Sequence, residues 1–388
     1  MSLVLLAALL CAGQGEKKPP VKVDPKKVDE AIKKGIAYLK GVDDDFNDTR
    51  ELVLWTYLHA GLSEEDSHVK AILDKKLAMP LLKTYNVSLQ AMILEKLDRV
   101  KHQNRIFHCA QFLADNQWDY GQWGYGRPTN LPDPPPGDRP KVATSGKKKP
   151  GAADFDDKVV RWKLKVTQQA HDPVSRGDNS NSQYAALGLR ACHDAGIVFP
   201  EEVLARAEKW WRESQVDGGA RNAPGPPYVA TGAAGNHPPA GWAYSSFGKG
   251  GVGPARGTMT VGGLGALAIL DSIRGKSWKS DPDVLEAVSW VAANFSVDNG
   301  GRGHPYYYLY GLERAGALYG TDFFGPHEWY PLGANYILEK QRPDGSWGHS
   351  QADVRREGVI DTCFAILFLR RGTPRLVDVA SVDRFKKP

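Results

Sequence analysis

Apolar residues recur along the chain with helical spacing, and the segments that carry this spacing alternate between two kinds. Segments 26–40, 66–81, 102–117, 200–215, 281–295 and 328–341 are amphipathic; Pro200–Trp211, for example, has a solvated face and opens with a proline suited to a helix start. Segments 50–60, 86–97, 179–194, 258–272, 305–318 and 359–371 are more apolar, several of them nearly all round, and Met259–Leu270 holds no charge at all. A helix apolar on every side must be enclosed. The pattern therefore predicts an all-α fold of twelve helices in six hairpins, with six apolar helices inside and six amphipathic helices outside, closed into an α/α toroid. No strand period competes with it.

Connection lengths give the ends of this arrangement different characters. Links that follow the apolar helices are short, at 61–65, 98–101, 195–199, 273–280 and 319–327. Links that lead into them are mostly long, at 41–49, 118–178, 216–257, 296–304 and 342–358, with 82–85 the exception. In an up-and-down ring all links of one kind lie at one end, so the long Gly- and Pro-rich links should surround one mouth. The same mouth would carry the N-termini of the enclosed helices, whose unpaired N–H groups favour anionic or strongly polarised ligands.

Composition narrows the class. With 388 residues, 41% of them hydrophobic and 24% charged, the chain folds as a globular protein, and no run of 18 apolar residues exists to span a bilayer. A net charge of +5, with Lys and Arg scattered apart from Lys147–Lys149, argues against a nucleic-acid partner. Leu3–Leu10, followed by Cys11, Ala12, Gly13 and Gly15, reads as a signal peptide over residues 1–15 and predicts export to periplasm, cell envelope or medium. Residues 16–25 form a tether, 26–372 the helical domain with insertions at 127–177 and 216–257, and 373–388 a tail. Cys109, Cys192 and Cys363 lie in apolar helical stretches, where a free cysteine packs as a small hydrophobe; one Cys109–Cys192 bridge stays open.

Two internal echoes mark opposite ends of the hairpins. One is a helix ending in Ala-Gly, at Ala60-Gly61, Ala195-Gly196 and Ala315-Gly316. The other runs from a glutamine to a nearby glycine or tryptophan: Gln117 to Gly121-Gln122-Trp123, Gln215 to Asp217-Gly218, and Gln341 to Asp344-Gly345-Ser346-Trp347. The Gln…Gly-x-Trp endings and the six hairpins resemble the prenyltransferase and squalene-cyclase repeat family, over nearly all of residues 26–372. That resemblance implies an α/α toroid in which Gln and Trp tie a helix end to its neighbour. The blocks Asp178–Tyr184 and Asp361–Ala365 look like inner-helix starts of bacterial members of that family. A shared scaffold does not carry an activity with it.

Candidate chemistry follows from position and residue type. Asp154-Phe155-Asp156-Asp157 matches the Asp-x-Asp-Asp acid motif of class II terpene cyclases, in which clustered carboxylates keep one member protonated; the same residues also read as a solvated acidic helix start. Asp178, Asn179, Asn181 and Ser182 exceed what one helix cap uses, and the surplus is expected at the mouth, with Thr258, Thr260 and Tyr307 at comparable starts. Trp242, with His237 and Tyr244, gives the glycine-rich insertion the contact area of a lid. His304, Asp361 and Cys363 are the nearest approach to a zinc set. Residues i and i+2 on a helix point apart, and Asp361 is placed to cap Thr362–Leu369, so no cofactor is expected. The expected function is a toroid that binds a small-molecule, isoprenoid or glycan ligand in its cavity. One alternative is an isoprenoid cyclase; another is a carbohydrate-active enzyme using Asp43, Asp44, Asp45 and Glu51.

Overall fold

A computed structural model describes residues 21–42, 48–136, 159–168, 177–217, 237–246, 251–348 and 356–376. These residues are predominantly α-helical. The helices are α1 (Pro25–Gly41), α2 (Arg50–His59), α3 (Ser67–Ala78), α4 (Thr84–Asp98), α5 (Gln103–Asp115) and α6 (Asn179–Asp194). They continue as α7 (Glu201–Glu213), α8 (Gly257–Ile273), α9 (Pro282–Ala293), α10 (Pro305–Tyr319), α11 (Trp329–Glu339) and α12 (Arg356–Arg370).

The starts are chemically explicit. Asp24, Asp66, Asp178 and Asp281 cap α1, α3, α6 and α9 by accepting backbone N–H groups, and proline opens α1, α9 and α10. One stop differs from expectation. Gly316 lies inside α10, where the absence of a side chain lets the Trp329 indole approach; the helix ends instead at Gly320, in the left-handed conformation with φ 85°.

Burial separates the two kinds of helix. Every residue of α8 from Met259 to Asp271 and of α12 from Asp361 to Leu369 is buried. On α7 only one face is, through Val203, Leu204, Ala207, Glu208, Trp210 and Trp211. The even-numbered helices pack in succession, α2 on α4, then α6, α8, α10 and α12, and α12 packs back on α2. Odd-numbered helices pack against the even ones: α5 bridges α4 and α6, α7 and α9 flank α8, and α1 and α11 both touch α12.

The glutamine and tryptophan echo is a physical fastening. Gln117 donates to Gly121 O and, across to α7, to Val203 O at 2.9 Å. Gln341 likewise donates to Gly345 O and to Ala31 O of α1 at 2.9 Å, and Gln215 to Asp283 O of α9 at 2.9 Å. Each fastening has a buried tryptophan. The Trp123 N–H donates to Ser182 Oγ at 3.0 Å, that of Trp242 to Thr260 Oγ1 at 3.2 Å, and that of Trp347 to Thr362 Oγ1 at 3.0 Å. Their indole N–H groups donate to Leu113 O, Trp211 O and Ile337 O at 2.7–2.8 Å. Gly121 keeps the first joint tight, because any side chain there would collide with Arg206 O.

Three further features depart from the sequence reading. Among the described residues eight two-residue strands occur, in four pairs that close local links, such as 245–246 with 251–252. Residues 159–168 of the first insertion run along α5 from end to end: Gln103 bonds Val160 O at 2.6 Å, Trp162 meets Phe107 edge-on, and Asp115 accepts from Thr167 N at 2.8 Å. That insertion therefore reaches both ends of the hairpin, pairing 162–163 with 197–198 at the short-link end, and is not confined to a mouth. Past α12, Thr373 is docked and donates to both carboxylate oxygens of Glu313 at 3.1 and 2.6 Å. The three cysteines at 109, 192 and 363 are buried and free, so the Cys109–Cys192 bridge is not formed. Among the described residues no helix is long and apolar enough to cross a membrane. The segment assigned to a signal peptide and residues 16–20 of the tether lie outside the described residues.

Candidate functional site

The starts of α4, α6 and α10 bring polar and aromatic groups together in two hydrogen-bonded sets, one around Ser180 and one around Gln183. Asp178 accepts from the Asn181 backbone N–H and side-chain amide, each at 2.8 Å, and from the Ser180 hydroxyl at 2.5 Å. Ser180 lies 3.1 Å from the Tyr244 hydroxyl, and Tyr85 of α4 packs on Tyr184 of α6 with ring centres 4.5 Å apart. Gln183 donates to the Tyr307 hydroxyl at 2.6 Å and accepts from Arg314 at 3.1 Å. The Arg314 guanidinium sits over Tyr310, 4.2 Å from the ring centre, and 5.2 Å from that of Tyr184. Tyr310 accepts from the Trp55 indole at 3.0 Å, which brings α2 into the second set.

Helical spacing explains why these residues meet. Ser180, Gln183 and Tyr184 stand at i, i+3 and i+4 on α6, and Tyr307, Tyr310 and Arg314 at i, i+3 and i+7 on α10. Burial raises the phenols of Tyr85 and Tyr307 well above their ordinary value and pushes Tyr310 up to about 12. All three are neutral at physiological pH and remain able to donate. At the outer end, Tyr244 and its neighbour Tyr125 are exposed, at 45% and 66%. Their backbone carbonyls accept from Asn179 N and Thr84 N, which fixes them beside the starts of α6 and α4. Aromatic faces at a rim beside the Ser180 hydroxyl suit a ligand that stacks and hydrogen-bonds.

Several expected site residues serve the fold instead. Asn179 is fully buried, with its amide donating to Ala243 O and its oxygen accepting from the Trp210 indole, both at 2.9 Å. Asn181 is buried beside Asp178, and its Oδ1 has no hydrogen-bond partner among the described residues. Trp242 is fully buried in the fastening with Thr260, so it forms part of the core and not of a lid. Thr258 is half-buried at the start of α8. Asp361 lies in the second turn of α12, not at its cap, because that helix begins at Arg356. His304 caps α10 in the left-handed conformation and is exposed. Among the described residues no three His, Cys, Asp or Glu side chains are grouped to hold a metal ion, and His304, Asp361 and Cys363 form no such set.

Glu51 is also taken out of the mouth. It is buried in an ion pair with Lys76 at 2.9 Å, on a cleft of about 180 Å³ between α2, α3 and α4. Asp43, Asp44 and Asp45, and the Asp154, Asp156 and Asp157 motif, lie outside the described residues. Of the residues singled out from sequence, Asp178 and Tyr244 meet at Ser180, and Tyr307 is bonded to Gln183. Arg314, Gln183, Tyr85 and Tyr184 were not anticipated; an arginine in the middle of an apolar helix was the available signal. No protein-family model matches the chain, and no curated protein matches its sequence.

Proposed function

We propose that the chain is an exported α/α toroid of the prenyltransferase and squalene-cyclase repeat type. It binds a hydroxyl-rich, saccharide-class ligand at the rim formed by Tyr125 and Tyr244. Support for the toroid comes from the run of helix contacts that returns from α12 to α2, and from Gln341, which ties the sixth hairpin to α1. The observation that carries the ligand class is the pair of exposed tyrosines fixed at the helix starts, with the Tyr244 hydroxyl 3.1 Å from that of Ser180. Sugars offer C–H faces for stacking and hydroxyls for such a pair. An isoprenoid would instead want a wide apolar chamber. Here the buried Tyr184 of α6 and Tyr310 of α10 instead pack around the Arg314 guanidinium. Asp178 acts as a positioning group for Ser180, with no proton-transfer role assigned.

The test is retention of the purified protein on an immobilised oligosaccharide panel. Tyr244→Ala and Tyr125→Ala should each weaken binding about 3- to 10-fold, the worth of one aromatic contact, without lowering the unfolding midpoint. Undiminished binding in the double variant would refute the rim assignment. Retention of a polyprenol in preference to any sugar would refute the ligand class.

A further inference from the structure

The cleft between α2, α3 and α4 combines apolar walls with a buried ion pair. Met79, Leu81, Leu82 and Val87 line it, together with Glu51, Lys76 and Asn86. The Glu51 and Lys76 side chains are each only 5% exposed and pair at 2.9 Å. The Asn86 amide donates to Glu51 Oε2 at 2.6 Å and to the Asp48 carbonyl at 3.1 Å. A buried ion pair commonly stabilises a fold no better than apolar residues of the same size would. Ionised groups on the lining of an apolar cleft are better accounted for by what they can bond there.

Size and charge restrict the occupant. A volume of about 180 Å³ has room for one six-membered ring with a substituent, since an apolar cavity of roughly 150 Å³ takes benzene. The carboxylates of Asp48 and Glu51 and the ammonium groups of Lys76 and Lys83 line the cleft together, so their charges cancel and draw no ion. A cation brought to Glu51 would meet Lys76, and an anion brought to Lys76 would meet Glu51. What the site can still offer is acceptors. A carboxylate accepts about four hydrogen bonds, of which Lys76 and Asn86 use two, and the Asn86 amide oxygen is an acceptor as well. We propose that this cleft binds a neutral single-ring hydroxyl compound, its ring against Leu81, Leu82 and Val87 and its hydroxyl donating to Glu51. Neither Tyr125 nor Tyr244 lines the cleft, so its test is separate from that of the saccharide reading.

Calorimetric titration with p-cresol tests this, with amide chemical shifts locating the site. Binding should saturate, and the shift changes should centre on residues 79–90. p-Methylanisole has the same ring without the donor and should bind about 10-fold more weakly, the worth of a hydrogen bond to a charged group. The cation p-methylbenzylamine and the anion p-toluate should both bind more weakly than p-cresol. Leu82→Ala removes part of the wall at a position 43% exposed, where the fold tolerates it, and should weaken p-cresol about 3-fold. Glu51→Gln, with folding checked by its unfolding midpoint, should weaken p-cresol more than p-methylanisole. Absence of saturable binding, shifts centred elsewhere, equal affinity for p-cresol and p-methylanisole, tighter binding of either ion, or Leu82→Ala with p-cresol affinity unchanged would each overturn the proposal.

Discussion

Glu313 lies within α10 and is fully buried, and its acid is pushed up to about 7 by that burial, against an ordinary 4.5. The folded chain keeps this proton where the unfolded chain has released it. The stability it contributes is complete below pH 4.5 and is lost as pH rises through 7. His59 works in the opposite direction: burial lowers it to about 3, so stability is lost as pH falls below its ordinary 6.5. Urea unfolding between pH 5 and 8 should therefore separate the two. Glu313→Gln should flatten the loss toward neutral pH by on the order of 1–3 kcal/mol and leave the acid side governed by His59. The sequence shows Glu313-Arg314 as a charged pair in an otherwise apolar helix, but neither shift could be read from it. Only the packing of α10 between α8 and α12 makes both of them interior residues.

Element boundaries were far more legible, because hydrophobic period, capping aspartates and prolines all act locally. The helix over 179–194 was expected from its spacing and forms with those bounds. The fastening at Gln215 was only half visible. Its tryptophan, Trp242, is displaced to the far side of an insertion, whereas Trp123 and Trp347 each follow their glutamines by six residues. Spacing along the chain cannot report a partner that an insertion has moved. The common element is a hydroxyl from an even-numbered helix accepting the tryptophan N–H, and it can be tested. Thr362→Val keeps the shape but strands the Trp347 N–H, and should cost about 1–3 kcal/mol in denaturant unfolding. Thr258→Val, at a half-buried position, should stay within about 0.5 kcal/mol of the parent. Similar losses in both would mean that the fastening contributes nothing particular.

Across the whole molecule, α1 is held by elements from the other end of the chain: it packs on α11 and α12, and its Ala31 carbonyl accepts from Gln341. Native-state hydrogen exchange should then show α1 and α12 opening together with the even-numbered helices. In Gln341→Ala, the α1 amides alone should exchange faster. Exchange of α1 ahead of the rest in the parent protein would contradict this. The strap 159–168 along α5 was the least legible feature at this scale, since its contacts at Gln103, Gln111 and Asp115 depend on tertiary placement. The pairing of α2 with α12 also constrains biosynthesis. The two partners are separated by roughly 300 positions, which a ribosome adding ~5–20 residues per second covers in about 15–60 s. For that interval the flank of the leading hairpin that α12 covers in the finished fold stays without its partner.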